Sequence, residues 1–360
     1  DPGYIRDVKT GRSWLFFNGG YAAPLSDDGL SLAETPRIVY PIWQYPREWD
    51  CEGVCCESPK LFYRNGYYYL TLAEGGTAGP ATSHMSVMLR SRAIENGWEF
   101  CPHNPVLHTY NGEERWWSVG HATPFRGTDG KWRLLFHAYE KRRYNEGRQI
   151  LLCNAEWDEN GWLRAADSDL PDNAPQERAF DFSENLPEKL FDELFFFGEF
   201  HPERISHENG ALCLAAEGNS AADSRPLLWN ETAGDFEISA RFLPPFDADE
   251  FGLTFYYDEN CSAGICLKGG YIHSFCLGGY HREEQFTGKA LRLKIVKRND
   301  VLSYYYASDD GDFKKTEVSD EVSGFHHNVF KGFLSLRAGI YAAGKGRVRC
   351  GFLSVKPQPR

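Results

Sequence analysis

Three stretches of this chain repeat one pattern, and each begins with a different proton-handling side chain. The first runs from Asp1-Pro2-Gly3-Tyr4-Ile5 to Gly11-Arg12-Ser13-Trp14-Leu15-Phe16. The second runs from Glu57-Ser58-Pro59-Lys60-Leu61-Phe62 to Gly66-Tyr67-Tyr68-Tyr69-Leu70. The third runs from His121-Ala122-Thr123-Pro124-Phe125 to Gly130-Lys131-Trp132-Arg133-Leu134-Leu135. In each, a hydrophobic run reaches a glycine turn and returns as an aromatic-rich run, which reads as a β-hairpin. A unit repeated at this period buries its faces only against its neighbours. Blades of a β-propeller meet that requirement, and their first strands line a common axis. Asp1, Glu57 and His121 are therefore expected to meet at one point.

Aromatic residues make up 15% of the chain, an excess that suits all-β packing and also stacking on sugar rings. A formal charge of −12 argues against a partner held through a phosphate backbone, so no nucleic acid is expected. No apolar run approaches the length needed to span a bilayer, so no membrane partner is expected either. The ten cysteines are irregularly spaced, and Cys153, Cys213, Cys266 and Cys350 sit inside apolar strand patterns. Cys51, Cys55 and Cys56 lack a second pair at zinc-ligand spacing. Buried free thiols are the better reading, which favours a reducing, cytoplasmic location. Because the sequence begins with Asp and not Met, an upstream signal and a secreted origin stay open.

The length allows two cores. Residues 1–170 read as short strands between Gly, Pro, Asn and Asp turns, an incomplete propeller of about three blades. Composition then turns to Asp, Pro, Ser, Asn and Glu, which reads as a linker over 171–190. Residues 191–360 carry strands of alternating pattern, such as Phe236 to Phe242 and Ala290 to Val296, without the opening motif. They fit a β-sandwich. The cluster Ser308-Asp309-Asp310-Gly311-Asp312 lacks the further ligands and flanking helices of a calcium loop and reads as a hairpin turn.

Hydrolysis of a glycoside needs a protonated carboxylic acid beside the leaving oxygen and a second carboxylate that activates water or attacks. Keeping the acid protonated takes a nearby negative charge or an apolar wall. Two carboxylates on neighbouring inner strands would supply that coupling. Glu57 is then the general acid, Asp1 the neighbour that modulates its protonation and orients the sugar, and His121 an orienting group or ligand at the centre. Taken singly, an Asp before Pro often only starts a turn, and a lone His often only sits in a core. Three polar residues at matching repeat positions outweigh that alternative.

The motifs D-P-G-Y-I, E-S-P-K-L-F with N-G-Y-Y-Y-L, and S-V-G-H-A resemble those of glycoside hydrolase family 43. The segment Ala73-Glu74-Gly75-Gly76-Thr77, with His84-Met85, Arg90-Ser91 and Gly147-Arg148-Gln149, is similar to its β-xylosidase-type members, and α-L-arabinofuranosidase is nearly as compatible, since pocket shape decides between them. The resemblance implies a five-bladed propeller, removal of pentose units from hemicellulose oligosaccharides by an inverting mechanism, and substrate contacts from His121, Arg148, His84 and Trp117. It requires no cofactor, and it implies a calcium or similar ion near His121, although no oxygen-ligand cluster accompanies that residue. The second region resembles the concanavalin-like sandwich of many family 43 xylosidases, most clearly at Phe251-Gly252-Leu253-Thr254-Phe255-Tyr256-Tyr257. A sandwich loop closing one side of the pocket favours exo-action.

Only three blade openings are visible, whereas the family's general base lies on its first blade. Two blades, and with them the base, are expected to lie upstream. Asp7, Asp27 and Asp28 sit in turn contexts and Glu52 precedes no matching strand, so none replaces it. Such a fragment would be inactive or nearly so, and would expose a strand edge prone to aggregation. Two other readings compete: a retaining fructan or sucrose hydrolase of the related five-bladed group, and a non-catalytic carbohydrate-binding protein with Tyr256, Tyr257, Tyr271 and Tyr280 as its platform. Among Trp43, Trp49, Trp116 and Trp117, one or two would stack on sugar and the others pack in the core.

Overall fold

Tyr67 to Glu74 shows how the first unit is held together. This strand is buried along nearly its whole length, and its two faces serve two different cores. Tyr68, Leu70 and Leu72 pack with Trp14, Phe16, Tyr40 and Met85, while Tyr69 packs with Met88, Ala122, Leu134 and Leu163. A strand covered on both sides by neighbouring sheets has no solvent face, so it reads as a continuous apolar run. That is the arrangement inside a stack of propeller blades.

The computed structural model describes residues 1–166, 176–230, 234–309 and 311–358. It divides into one compact unit of residues 1–142 and 148–172 and a second of Arg143–Gly147 and 173–360. In the first, three antiparallel sheets follow one another along the chain. One holds β1 (Gly3–Arg6), β2 (Ser13–Phe16), β3 (Tyr21–Pro24) and β4 (Arg37–Ile38). The next holds β5 (Cys56–Arg64), β6 (Tyr67–Glu74), β7 (Met85–Ser91), β8 (Glu99–Phe100) and β9 (Leu107–His108). The third holds β10 (Trp116–Arg126), β11 (Trp132–Glu140), β12 (Gln149–Trp157) and β13 (Leu163–Ala166). The repeats read from sequence are the hairpins β1–β2, β5–β6 and β10–β11, each paired antiparallel. Three propeller blades are thus present.

The second unit is two sheets face to face. Its strands are β14 (Arg178–Asp181), β15 (Leu194–Phe196), β16 (Ile205–His207), β17 (Leu212–Ala215), β18 (Leu227–Trp229), β19 (Phe236–Leu243), β20 (Glu250–Asp258), β21 (Cys261–Lys268), β22 (Tyr271–Cys276), β23 (Gly279–Gln285), β24 (Leu291–Arg298), β25 (Val301–Ser308), β26 (Lys314–Glu321), β27 (Arg337–Ala343) and β28 (Arg347–Pro357). One sheet runs β16-β17-β28-β19-β24-β25-β26, with β14 on β28, and the other β15-β18-β27-β20-β21-β22-β23. Alternation in β19 and β24 turns Phe236, Ile238, Leu293 and Ile295 inward, against Phe251, Leu253, Phe255 and Ile340 of the opposite sheet.

The linker expected over 171–190 is corrected in its second half. Residues 167–175 lie outside the described residues, but β14 pairs with β28, and Phe182 and Leu190 are buried in the sandwich core. Phe180 stacks flat on Trp229 at 5.3 Å. The polar composition around these phenylalanines masked a short edge strand. Of the cluster read as a hairpin turn, Asp310 lies outside the described residues; on either side of it the Gly311 N–H is bonded to the Ser308 carbonyl. The Asp309 carboxylate is taken by a two-pronged ion pair with Arg241 at 2.7 and 2.8 Å. The ten cysteines are free, and most are buried. No helix among the described residues is long and apolar enough to cross a membrane.

Candidate active site

The opening residues of the three blades do converge. The Nε2 atom of His121 lies 3.3 Å from a carboxylate oxygen of Asp1. Ligand atoms of Glu57, His84 and His121 all lie within 4.8 Å of one another. Close approach of the backbones makes this possible. A Cβ on Gly3 would fall on the Pro59 carbonyl oxygen, so only glycine lets β1 run this close to β5. Asn18 also spans the first two blades, its side-chain oxygen accepting from the Ser58 N–H at 3.3 Å.

Bulges aim the side chains. In the β5–β6 ladder Glu57 pairs with Ala73 and Lys60 with Thr71, so β5 holds one residue more than its partner between those pairs. Ser58 takes up the extra length in the left-handed region, at φ 56°. Cross-strand partners share a face, and Ala73 and Thr71 lie on one face of β6. The bulge therefore sets Glu57 and Lys60 on the same side, where plain alternation would put them on opposite sides. In the β10–β11 ladder two further register shifts flank Gly120, with Ser118 at φ 52° and His121 at φ 59°. Backbone strain gathered at one pole in this way is a mark of a functional site.

Beneath His121 lies a layer of imidazoles. His84 is fully buried, stacks on His137 at 5.1 Å and meets His121 edge-on at 6.1 Å. Gly120 is part of this packing, since a Cβ there would come within 2.6 Å of the His84 ring. Burial pushes His84 down to about 3 and His137 down to about 2, and the cation of Arg148 and the neighbouring imidazoles add to the effect. His121 is lowered as well, first by burial and then by the charges of Lys60 and Arg148, which outweigh the attraction of Glu57. Near neutral pH, its contact with Asp1 is that of a neutral imidazole with a carboxylate and not an ion pair.

Of the residues expected from sequence, Asp1, Glu57 and His121 stand together, and Arg148 is close enough to act on all three imidazoles. His84 has no exposed surface, so it backs His121 and does not line a substrate surface. Trp117 is half-buried on β10, opposite Tyr139. Trp49 stacks on His108 at 4.1 Å, and Arg115 lies over Trp116 at 4.8 Å. The tyrosine platform is corrected: Tyr256 and Tyr257 are buried, the Tyr280 hydroxyl donates to Glu250, and Arg282 covers Tyr271. Residues in turns or loops are structurally engaged too. Asp7 accepts from Lys9 N–H, the Thr10 hydroxyl and the Tyr68 hydroxyl, Asp28 from the Leu30 N–H and the Ser26 hydroxyl, and Glu52 from the Ala78 N–H.

Two participants, Lys60 and His137, were not read as site residues from the sequence, nor was the burial of Glu74 nearby. Lys60 donates to the Ser58 hydroxyl, and its ammonium is disfavoured by burial although Glu57 opposes that. His137 belongs to no motif and enters only through its register opposite Gly120. Glu74 ends β6 beside Cys56; it accepts from the Trp43 N–H, and burial raises it to about 8. Two imidazoles and one carboxylate, with His84 walled off from solvent, do not suit calcium, which takes six to eight oxygens.

Three blades that bring two carboxyl groups and an imidazole together define a propeller unit whose proton-handling side chains gather at one pole. The chain matches the model for glycosyl hydrolases family 43 over residues 1–163. It is 34% identical to a β-xylosidase of Bacillus subtilis, over 88% of this chain and 65% of that protein. It is 23% identical to a non-reducing end α-L-arabinofuranosidase of Bacteroides ovatus, over 82% of this chain and 60% of the relative. The chain thus spans less than two thirds of the length of these two relatives. Among solved structures, the GH43 BlXynB protein from Bacillus licheniformis superposes with a TM-score of 0.83 at 20% identity, covering 99% of this chain and 74% of that one.

Proposed function

We propose that the pole of the first unit is the acid half of a glycosidase site that removes terminal pentose units, β-D-xylose or α-L-arabinofuranose, from hemicellulose oligosaccharides. The observation that carries this is the meeting of the Asp1 and Glu57 carboxyl groups around the neutral imidazole of His121. The similarity to a β-xylosidase and to an α-L-arabinofuranosidase supports the pentose. Glu57 delivers its proton to the leaving oxygen as the bond from the anomeric carbon breaks, and water adds to that carbon on the opposite face, losing its proton to solvent, from which Glu57 is reprotonated. Asp1, held by His121, fixes the local charge and offers an acceptor to a sugar hydroxyl. The layer of neutral imidazoles behind them adds no cation that would compete for that carboxylate. No base is assigned among the described residues, because Asp7, Asp28 and Glu52 are committed to turns and loops. Hydrolysis by this chain alone is expected to be slow, and no step runs through a metal.

Azide tests the reading, since it replaces the base and water as a small anionic nucleophile. With 4-nitrophenyl β-D-xyloside, added azide should speed release and give α-xylosyl azide. Glu57→Gln should cut azide-dependent cleavage of xylobiose, whose leaving group needs the proton, by about 10²–10⁴-fold. A β-configured azide product, or cleavage indifferent to Glu57, would overturn the proposal.

A further inference from the structure

At one end of the sandwich, three connections meet around a cavity that belongs to none of the chemistry above. They are the segment before β20, the turn between β21 and β22, and the segment after β23. Together they enclose about 490 Å³, within the range of small-ligand sites. Phe251 and Leu267, both part of the buried core, form the floor. Phe246 and Phe286 form the walls. They meet edge to face at 6.0 Å and are only partly buried, so ring surface is left over to meet a ligand.

The rim is of one chemical kind. Asp247 and Asp249 are exposed and border the cavity together with Thr287, and among the described residues no Lys, Arg or His lines it. Asp249 spends one oxygen on the Lys345 N–H at 3.0 Å, which fixes the carboxylate in place. On the opposite side Gly269 and Gly270 present bare backbone, and side chains there would meet nothing within 4 Å, so that wall is open.

We infer that this cavity is a second carbohydrate subsite, which takes a neutral sugar residue of a glycan chain. An aromatic wall packs the carbon-bound hydrogens of a sugar ring, and carboxylates accept from its hydroxyls. A carboxylate rim without a balancing cation repels phosphates and uronic acids. The open glycine side lets the glycan continue beyond the bound residue. The site lies within the sandwich unit and does not depend on the reading of the propeller pole.

Hydrogen exchange of the full chain with xylotetraose tests it. Segments 244–249 and 286–288 should gain protection with saturable dependence on the sugar. Asp247→Asn and Phe246→Ala should each weaken that protection about tenfold, the loss of one hydrogen-bond or packing partner in a small site. Asp247 is exposed, so its variant tests the site even if Phe246→Ala disturbs folding. Protection at these segments should survive His121→Ala, which disables only the propeller pole, and tetragalacturonate should give none. Protection confined to the propeller, or unchanged in Asp247→Asn, would overturn the inference. So would protection produced by calcium alone and erased by a chelator, which would make the rim a cation site. Failed azide-dependent cleavage with retained protection here would count against the propeller reading only.

Discussion

The Asp1 carboxylate lies 3.3 Å from Nε2 of His121, yet that imidazole is held neutral. A carboxylate at this range would ordinarily favour the charged ring. Burial opposes it, and the cations of Lys60 and Arg148 add to the opposition. The pole therefore keeps a fixed negative charge beside a neutral donor, the combination a sugar hydroxyl needs.

Removing the Lys60 charge should release part of that constraint. In Lys60→Met the His121 titration should move up toward the ordinary histidine value, while His84 and His137, held down mainly by burial, should move less. Carbon- or nitrogen-detected NMR titration of the imidazoles reads this directly. An unmoved His121 would remove Lys60 from the electrostatics of the pole.

Gly120→Ala places a methyl within 2.6 Å of the His84 ring. The ring is fully buried and has no room to retreat, so the first unit should lose about 1–3 kcal/mol, as for other overpacked cores. Chemical denaturation checks this. Unchanged stability would mean that the imidazole layer is loosely packed.

Glu74 gives a stability effect with a definite sign. Its folded value, about 8, lies above its ordinary 4.5, so the folded state holds the proton that the unfolded chain releases. Its contribution is fully present below about 4.5 and declines as pH rises toward 8. Glu74→Gln keeps an oxygen for the Trp43 N–H and removes the titration. The variant should match the parent at pH 4.5 and melt progressively higher than it up to pH 8. A constant difference across that range would reject the buried neutral acid.

The second unit contains the opposite case. Glu146 and Lys297 form a 2.9 Å pair with both side chains almost wholly buried, and Arg143 joins them. Burial alone would raise Glu146, but the two cations outweigh it and hold the carboxyl below its usual range. Stability from this pair is present above the ordinary Glu range and is lost as pH falls through the depressed value. Lys297→Met, which leaves the buried carboxylate one of its two cations, should cost up to about 3–5 kcal/mol at neutral pH and less in acid. Thermal unfolding at pH 7 and pH 3 separates the two.

What the sequence made legible was whatever repeats. Three polar residues at matching positions before a glycine turn located Asp1, Glu57 and His121, because a repeated hairpin has one geometry and puts matching residues in matching places. Residues defined by register were not legible. Lys60 shares a face with Glu57 only because of the extra residue at Ser58, and His137 reaches the pole only as the partner of Gly120. His84 was found by resemblance, but its depth was not, since nothing local distinguishes a buried imidazole from an exposed one. The second sheet edge at Arg178–Asp181 was hidden in the same way, where two phenylalanines among acids made a strand look like linker.

The supernumerary residue in β5 also bears on how relatives of this protein should be compared. Retention of the glutamate alone is poor testimony that a homologue keeps the chemistry. A one-position deletion between the acid and the following lysine would flatten the kink and swing the carboxyl toward the preceding blade, leaving an intact letter in the alignment and a silent pole in the molecule.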